Sequence, residues 1–482
     1  MKKLFIVYDN IEQPGPEIKN IVGDKSFGEI VYKRVSLKNR FLSSIESYDF
    51  VIGCFELNNQ QQLEEVEEVL VNLPSHTVVL HLFSHAVISS TEQFDVLVKK
   101  SQYVNETVSV DDLSYVFSAL DQYREFLQVA KHASTRQIPE QIPYTSLENQ
   151  AFSDISNYSQ FLLYISGGFD ARFFNSLKGD EYSVVKTSVN IQKIKKEYHF
   201  YHLLPDSMKP WFVMPYNYEE NEHSASYTME RFHMTDMAIR WIHGSVSLAE
   251  MNRFLSKVFY FVTNRHETSI PKGEYKAIAD DLYLHKLDQR VEELKEHDKY
   301  SEIEPYIQAG TDYSSIDDIV SEYKSLYNEI ASGVSVGKSV IGHGDLCFSN
   351  MLYNKELSLL RLIDPKGALE EKELWTNPYY DIAKLSHSIC GKYDFFNSGM
   401  YDITLNENCH FALSIDFDNK EYIELFKKHL AKHGFDYQLV RLYESSLFLS
   451  MLPLHMDNPQ KVFGFILNAI EILNEVKTCT KN

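Results

Sequence analysis

The stretch HGDLCFSNMLYNKELSLLRLIDPKG, from His343 to Gly367, constrains this chain more than any other. NMLY and LSLLRLID read as two short strands, and the polar NKE between them reads as a turn, so the segment predicts a hairpin. That register leaves His343, Asp345, Asn350 and Asp364 at strand ends. Carboxylates and an amide held there suit chemistry better than core packing, because a buried polar group without a partner costs about 1–3 kcal/mol.

The hairpin sits in a chain of 482 residues, enough for roughly two to four domains at about 150 residues each. Over residues 1–128, KLFIVY, EIVYKRV, DFVIGCF and HTVVLHLF read as buried strands. QQQLEEVEEVLVNL, TEQFDVLVKKS and VDDLSYVFSALDQYREFL read as amphipathic helices. This alternation implies a small α/β doubly wound domain with a mostly parallel sheet. The turn after the first strand, DNIEQPGPE, contains neither GxGxxG nor GxxxxGK[ST], so a structural or docking role is expected, with Asp9 and Asn10 at a strand end as a weak exception. Residues 129–150 are polar, carry two prolines and have no period, which predicts a linker.

The texture changes at residue 151. FLLYISGGFDARFFNSLKGDEYSVVKTS reads as strands around a glycine turn at Gly167 and Gly168, IQKIKKEYHFYHLL as a helix, and WFVMPYNYEENEHSASYTMERF as two more strands. From residue 235 to 482 the pattern is mainly helical, interrupted by the hairpin around Asn350.

Composition narrows the function. With 68 acidic against 47 basic residues the net charge is −21, a poor basis for gripping nucleic-acid phosphates. Five scattered cysteines form no CxxC pair, so neither a zinc site nor a disulfide framework is signalled. The apolar run at the start is too short for a signal peptide, and nothing approaches the roughly 18 apolar residues of a membrane span. These features predict a soluble, cytoplasmic protein.

Phosphoryl transfer from ATP needs a lysine and magnesium against the triphosphate charge, oxygen ligands for the metal, and a carboxylate on the acceptor hydroxyl. The chain offers Lys186 in the apolar strand YSVVKTS, Glu197 on the following helix, and then Asp345, Asn350 and Asp364. HGDLCFSN followed by LIDPKG resembles the catalytic loop and metal-binding segment of the protein-kinase-like phosphotransferases, most closely the aminoglycoside phosphotransferase and choline kinase type. The likeness extends over residues 150 to 482: SVVKTS resembles the lysine strand, SYTMERF the hinge between lobes, and YYDIAKLSHSI the helix after the metal segment. MLPLHMDNP is similar to a segment of kinase-like proteins in bacterial surface-polysaccharide pathways.

The resemblance implies an α+β, bilobal kinase-like fold, with a small β-rich lobe over 151–234 and a helical lobe over 235–482. It implies that Asp345 meets the acceptor hydroxyl and that Asn350 and Asp364 hold Mg2+. Lys186, oriented by Glu197, would touch the ATP phosphates, under the turn at Gly167 and Gly168. The backbone from Tyr227 through Met229 to Glu230 would meet adenine, and His343 would be structural. Asp381 would brace the catalytic loop, a role rivalled by simple helix N-capping. Glu181 and Glu230 compete with Glu197, and Lys366 is open between an anionic substrate and solvent. The acceptor, a sugar, a sugar-linked intermediate or an amino alcohol, is expected between segments 280–310 and 370–400. Two rivals stand beside this small-molecule kinase: a pseudokinase-type nucleotide-binding scaffold, and a protein kinase. The second is disfavoured by the lack of an Ala-Pro-Glu segment and of a long activation segment after Asp364.

Overall fold

The apolar run at Lys3 becomes an interior strand of a six-stranded sheet in the computed structural model, which describes residues 2–166, 175–179, 182–407 and 409–480. The chain divides into two units, Met1–Phe169 and Asp170–Asn482. In the first unit, β1 (Lys3–Asp9), β2 (Val51–Leu57), β3 (Thr77–Phe83), β4 (Thr107–Val110), β5 (Ser114–Phe117) and β6 (Tyr144–Leu147) lie in the order β2-β1-β3-β5-β4-β6. β1 pairs in parallel with β2 and β3, β6 pairs in parallel with β4, and only β5 runs against its neighbours.

Leu4, Ile6 and Tyr8 of β1 enter one buried cluster, and Phe5 and Val7 enter another. Both faces are therefore covered, which is why the strand reads as one unbroken apolar run. Phe41 of α1 (Leu37–Ile45) and Phe94 of α3 (Thr91–Ser101) fill the first cluster, while Val66 of α2 (Leu63–Val71) and Phe126 of α4 (Leu120–Ala130) fill the second.

Four expectations for this unit change. FLLYI, read as a strand, ends the helix Tyr158–Ile165, which the Asn157 side chain caps. EIVYKRV is not a sheet strand: Val31–Tyr32 and Val35–Ser36 form a miniature hairpin of their own. VDDLSYVF is not helical, because Asp111 and Asp112 both take φ of 54°, a two-residue turn with positive φ that matches strand twist and folds β4 onto β5. The stretch 129–150 is not wholly a linker: Tyr144–Leu147 is the edge strand β6, and Phe152–Asp154 then pairs with Ala86–Ile88. All four β6 side chains are exposed, so no apolar alternation marks the strand in sequence.

The second unit opens with an antiparallel sheet of β7 (Asn175–Gly179), β8 (Ser183–Ser188), β9 (Pro215–Glu220) and β10 (Ala225–Glu230), ordered β7-β8-β10-β9, with α5 (Ile191–Leu203) following β8. Helices dominate after Met237. Those that matter below are α6 (Lys286–Lys295), α7 (Tyr380–Ile389) and α8 (Tyr437–Ser450). Among them lie β11 (Lys338–Ile341) and the expected hairpin, β12 (Met351–Asn354) with β13 (Leu359–Leu362), in the register Met351 to Leu362. Met351, Tyr353, Leu360 and Leu362 bury one side of that hairpin in a core rich in aromatic rings, where Tyr283 and Tyr443 stack at 3.7 Å. Among the described residues, no helix is long and apolar enough to cross a membrane.

Candidate active site

Lys186 lies in β8, paired with Tyr227 of β10 and only 4% exposed. A lone ammonium there would be costly. Its Nζ is 2.7 Å from Glu197 Oε2 and 2.8 Å from Asp364 Oδ1. Burial works to lower the Lys186 pKa, but these two carboxylates outweigh it and hold the pKa above the ordinary lysine value. Glu197 is itself buried on α5, and the Tyr227 hydroxyl donates to its Oε2 at 3.0 Å. Of the competing glutamates, Glu230 is exposed at the end of β10, and Glu181 lies outside the described residues. Gly167 and Gly168 also lie outside them.

Asp364 follows β13 with φ of +55°, a left-handed conformation that costs a non-glycine residue about 1–3 kcal/mol. The neighbouring backbone enforces it: Ile363 N–H donates to Asn350 O at 3.1 Å, and Lys366 N–H donates to His343 O at 2.9 Å.

The loop from His343 to Asn350 is held from below. The His343 and Gly344 N–H groups donate to separate oxygens of Asp381, at 2.9 and 2.7 Å. Asp381 has no solvent exposure, and Arg265 Nη1 meets it at 2.6 Å. Asp381 therefore braces the loop rather than capping its helix. His343 is also fully buried; its Nδ1 accepts from the Asp345 N–H at 3.1 Å and its Nε2 donates to Ile363 O at 2.9 Å. These contacts fix one neutral tautomer, and burial pushes the imidazole pKa down.

Asp345 Oδ1 is 2.9 Å from Lys384 Nζ, while its Oδ2 accepts from Asn350 Nδ2 at 3.0 Å. The Asp345 side chain is 42% exposed, yet it sits deep enough among protein atoms that desolvation is the largest single influence on it. The Lys384 charge and hydrogen bond reverse that influence, so the pKa falls below the ordinary value and the group is a carboxylate. Lys384 was not singled out from the sequence. Its signal was there: it lies three positions after Asp381 on α7, and an i, i+3 pair shares a helix face.

Asn350 spends its NH2 on Asp345 Oδ2 and Asp345 O, which leaves its amide oxygen without a hydrogen bond among the described residues. Asp364 likewise engages Lys186 through Oδ1 alone. Two hard oxygen donors fit magnesium, which keeps several waters and takes its remaining ligands from phosphates. Among the described residues, no group of three or more His, Cys, Asp or Glu side chains could hold a metal unaided. Met229 is half-buried near the end of β10, where it lines a small recess with Glu197, Tyr227, Leu362 and Asp364.

No protein-family model matches the chain, and no curated protein matches it. Solved structures similar to it include an apo thermostable mutant of aminoglycoside phosphotransferase APH(4)-Ia, at 13% identity and a TM-score of 0.38 over 66% of this chain and 98% of that one. A ternary complex of the same enzyme with ADP and hygromycin B gives 12% identity and a TM-score of 0.37 over 66% and 97%. The streptomycin–ATP–APH(2")-IIa complex gives 12% and 0.34 over 64% and 89%. All three are aminoglycoside phosphotransferases.

Proposed function

We propose that this chain is a small-molecule kinase that transfers the γ-phosphoryl group of ATP to a hydroxyl. The observation that carries the proposal is the connected cluster Lys186–Glu197–Asp364, joined through Ile363, Asn350 and His343 to the ionised, solvent-accessible Asp345. Lys186, Glu197, Asp345, Asn350 and Asp364 fill the proposed phosphate, metal and acceptor roles, which supports turnover over a scaffold role.

In this reading the sheet of β7 to β10 with α5 is the small lobe of a bilobal, kinase-like unit, and the helices after Met237 form the large one. Lys186 meets the α- and β-phosphates, and the backbone from Tyr227 through Met229 to Glu230 meets adenine. Asn350 and Asp364 hold Mg2+, which supplies positive charge against the phosphate oxygens when bound. Asp345 orients the acceptor. The acceptor oxygen forms a bond to the γ-phosphorus, the bond from that phosphorus to the β,γ-bridging oxygen breaks, ADP leaves, and the hydroxyl proton passes to the Asp345 carboxylate. The rate comes from positioning and from fixed charge.

Thermal unfolding with ATP and magnesium tests the binding half directly. ATP plus magnesium should raise the wild-type melting temperature, and Asp364→Ala should abolish that shift while keeping a cooperative transition. An equal shift in both proteins would remove Asp364 from the metal site.

A further inference from the structure

Among the described residues, two lysines beside the catalytic loop form no ion pair. We propose that the acceptor alcohol carries an oxyanion of its own, a carboxylate or a phosphate, and that Lys286 and Lys366 bind it next to Tyr380. This inference rests on the phosphotransferase reading and adds the class of its second substrate.

Three separate elements converge there. Tyr380 opens α7, is 5% exposed, and accepts a hydrogen bond from Lys286 Nζ of α6 at 3.0 Å. The stem of Lys366 lies across Gly344, the residue before Asp345: a Cβ at Gly344 would come within 2.6–2.7 Å of Lys366 Cβ, Cγ and Cδ. Gly344 takes φ of +83°, so glycine suits both the turn and the lysine crossing it. Lys366 is exposed, and the Gly344 N–H beneath its stem donates at 2.7 Å to Asp381, the residue after Tyr380 on α7. The cluster thus borders Asp345, whose own charge Lys384 already offsets at 2.9 Å.

The nearby carboxylates are committed elsewhere. Asp381 serves Arg265 and two backbone N–H groups. Glu373 accepts from the Leu369 N–H at 2.7 Å and lies 3.8 Å from Lys196 Nζ. Among the described residues neither Lys286 nor Lys366 forms an ion pair; Lys286 has only the Tyr380 hydroxyl. Two ammonium groups without an ion pair act as a local attractor for anions, even in a chain of net charge −21. It also resolves a difficulty: an anionic alcohol approaching the ATP triphosphate is repelled, and two ammonium groups offset that repulsion. A cationic amino alcohol would meet like charge instead. The product then carries the original oxyanion and a new phosphate monoester.

The test uses the full chain with ATP and magnesium, reading ADP release and product by phosphorus NMR. The acceptors are glycerol, ethanolamine, glycerate and glycerol 3-phosphate, and a hexose, a hexosamine, a hexuronate and a hexose 6-phosphate. Transfer confined to the anionic members supports the inference, and the carboxylate and phosphate arms identify which oxyanion is taken. Lys286→Met and Lys366→Met, which keep the apolar stems, should each raise the acceptor KM about 10- to 100-fold, the worth of a charge-assisted hydrogen bond. Calorimetric ATP affinity should remain within about twofold of wild type in both variants. A neutral or amino acceptor as the best substrate, or unchanged KM in both variants, overturns the anionic acceptor and leaves the kinase reading standing. ADP release no higher than the acceptor-free control with all eight compounds overturns both.

Discussion

Lys186 and Asp364 stand 178 residues apart in sequence and 2.8 Å apart in the fold. Together with Glu197 they place one ammonium between two carboxylates, one buried and one 38% exposed. Lys186→Ala leaves Glu197 buried without its main counter-charge, and breaking such a pair costs about 3–5 kcal/mol. In the proposed mechanism the lysine meets phosphates in both ground and transition states, so nucleotide affinity and transfer rate should fall together. Calorimetric ATP titration beside denaturant unfolding checks both effects. Wild-type ATP affinity in Lys186→Ala would remove the lysine from the phosphate site.

The loop that carries Asp345 depends on an ion pair beneath it. Asp381→Ala strands Arg265, a fully buried guanidinium, and unpairs the His343 and Gly344 N–H groups. The expected loss is about 3–5 kcal/mol of unfolding free energy in a urea titration. A loss below about 1 kcal/mol would mean that the loop is held by other contacts.

A pH dependence follows from Asp394, which is 2% exposed and whose Oδ2 has no hydrogen-bond partner among the described residues. Burial lifts its pKa to about 7; the Asp236 and Asp345 charges push the same way, and a Ser388 hydrogen bond opposes them. Because the folded value is the higher one, the folded state keeps a proton that the unfolded chain has released between about pH 4 and pH 7. The contribution to stability is full below pH 4 and is lost as pH rises through 7. Asp394→Asn should flatten that decline and be more stable than wild type at pH 8 by roughly 2–4 kcal/mol. Parallel pH–stability curves for the two proteins would contradict the raised pKa.

Much of this was legible in the sequence, for definite reasons. Asp345, Asn350 and Asp364 announce themselves because a short hairpin fixes their spacing locally. Lys186 and Glu197 announce themselves because a strand and the next helix do the same. Lys384 was overlooked because its partner, Asp345, is distant in sequence, and only the packing of α7 under the loop brings them together. The β4–β5 turn was misread because Asp111 and Asp112 take positive φ with no glycine to signal it. Strand β6 was misread because an edge strand with four exposed side chains has no apolar period.

The account rests most heavily on Asp345 as the group that meets the acceptor and not the nucleotide. The direct measurement compares wild type with Asp345→Asn, a substitution close in shape, by ATP calorimetry and by rate of phosphoryl transfer to the best acceptor of the panel. The account predicts transfer slowed by about 10²–10⁴, the range for a positioned acid–base group, with ATP affinity within about threefold of wild type. Near-wild-type transfer by Asp345→Asn would contradict it.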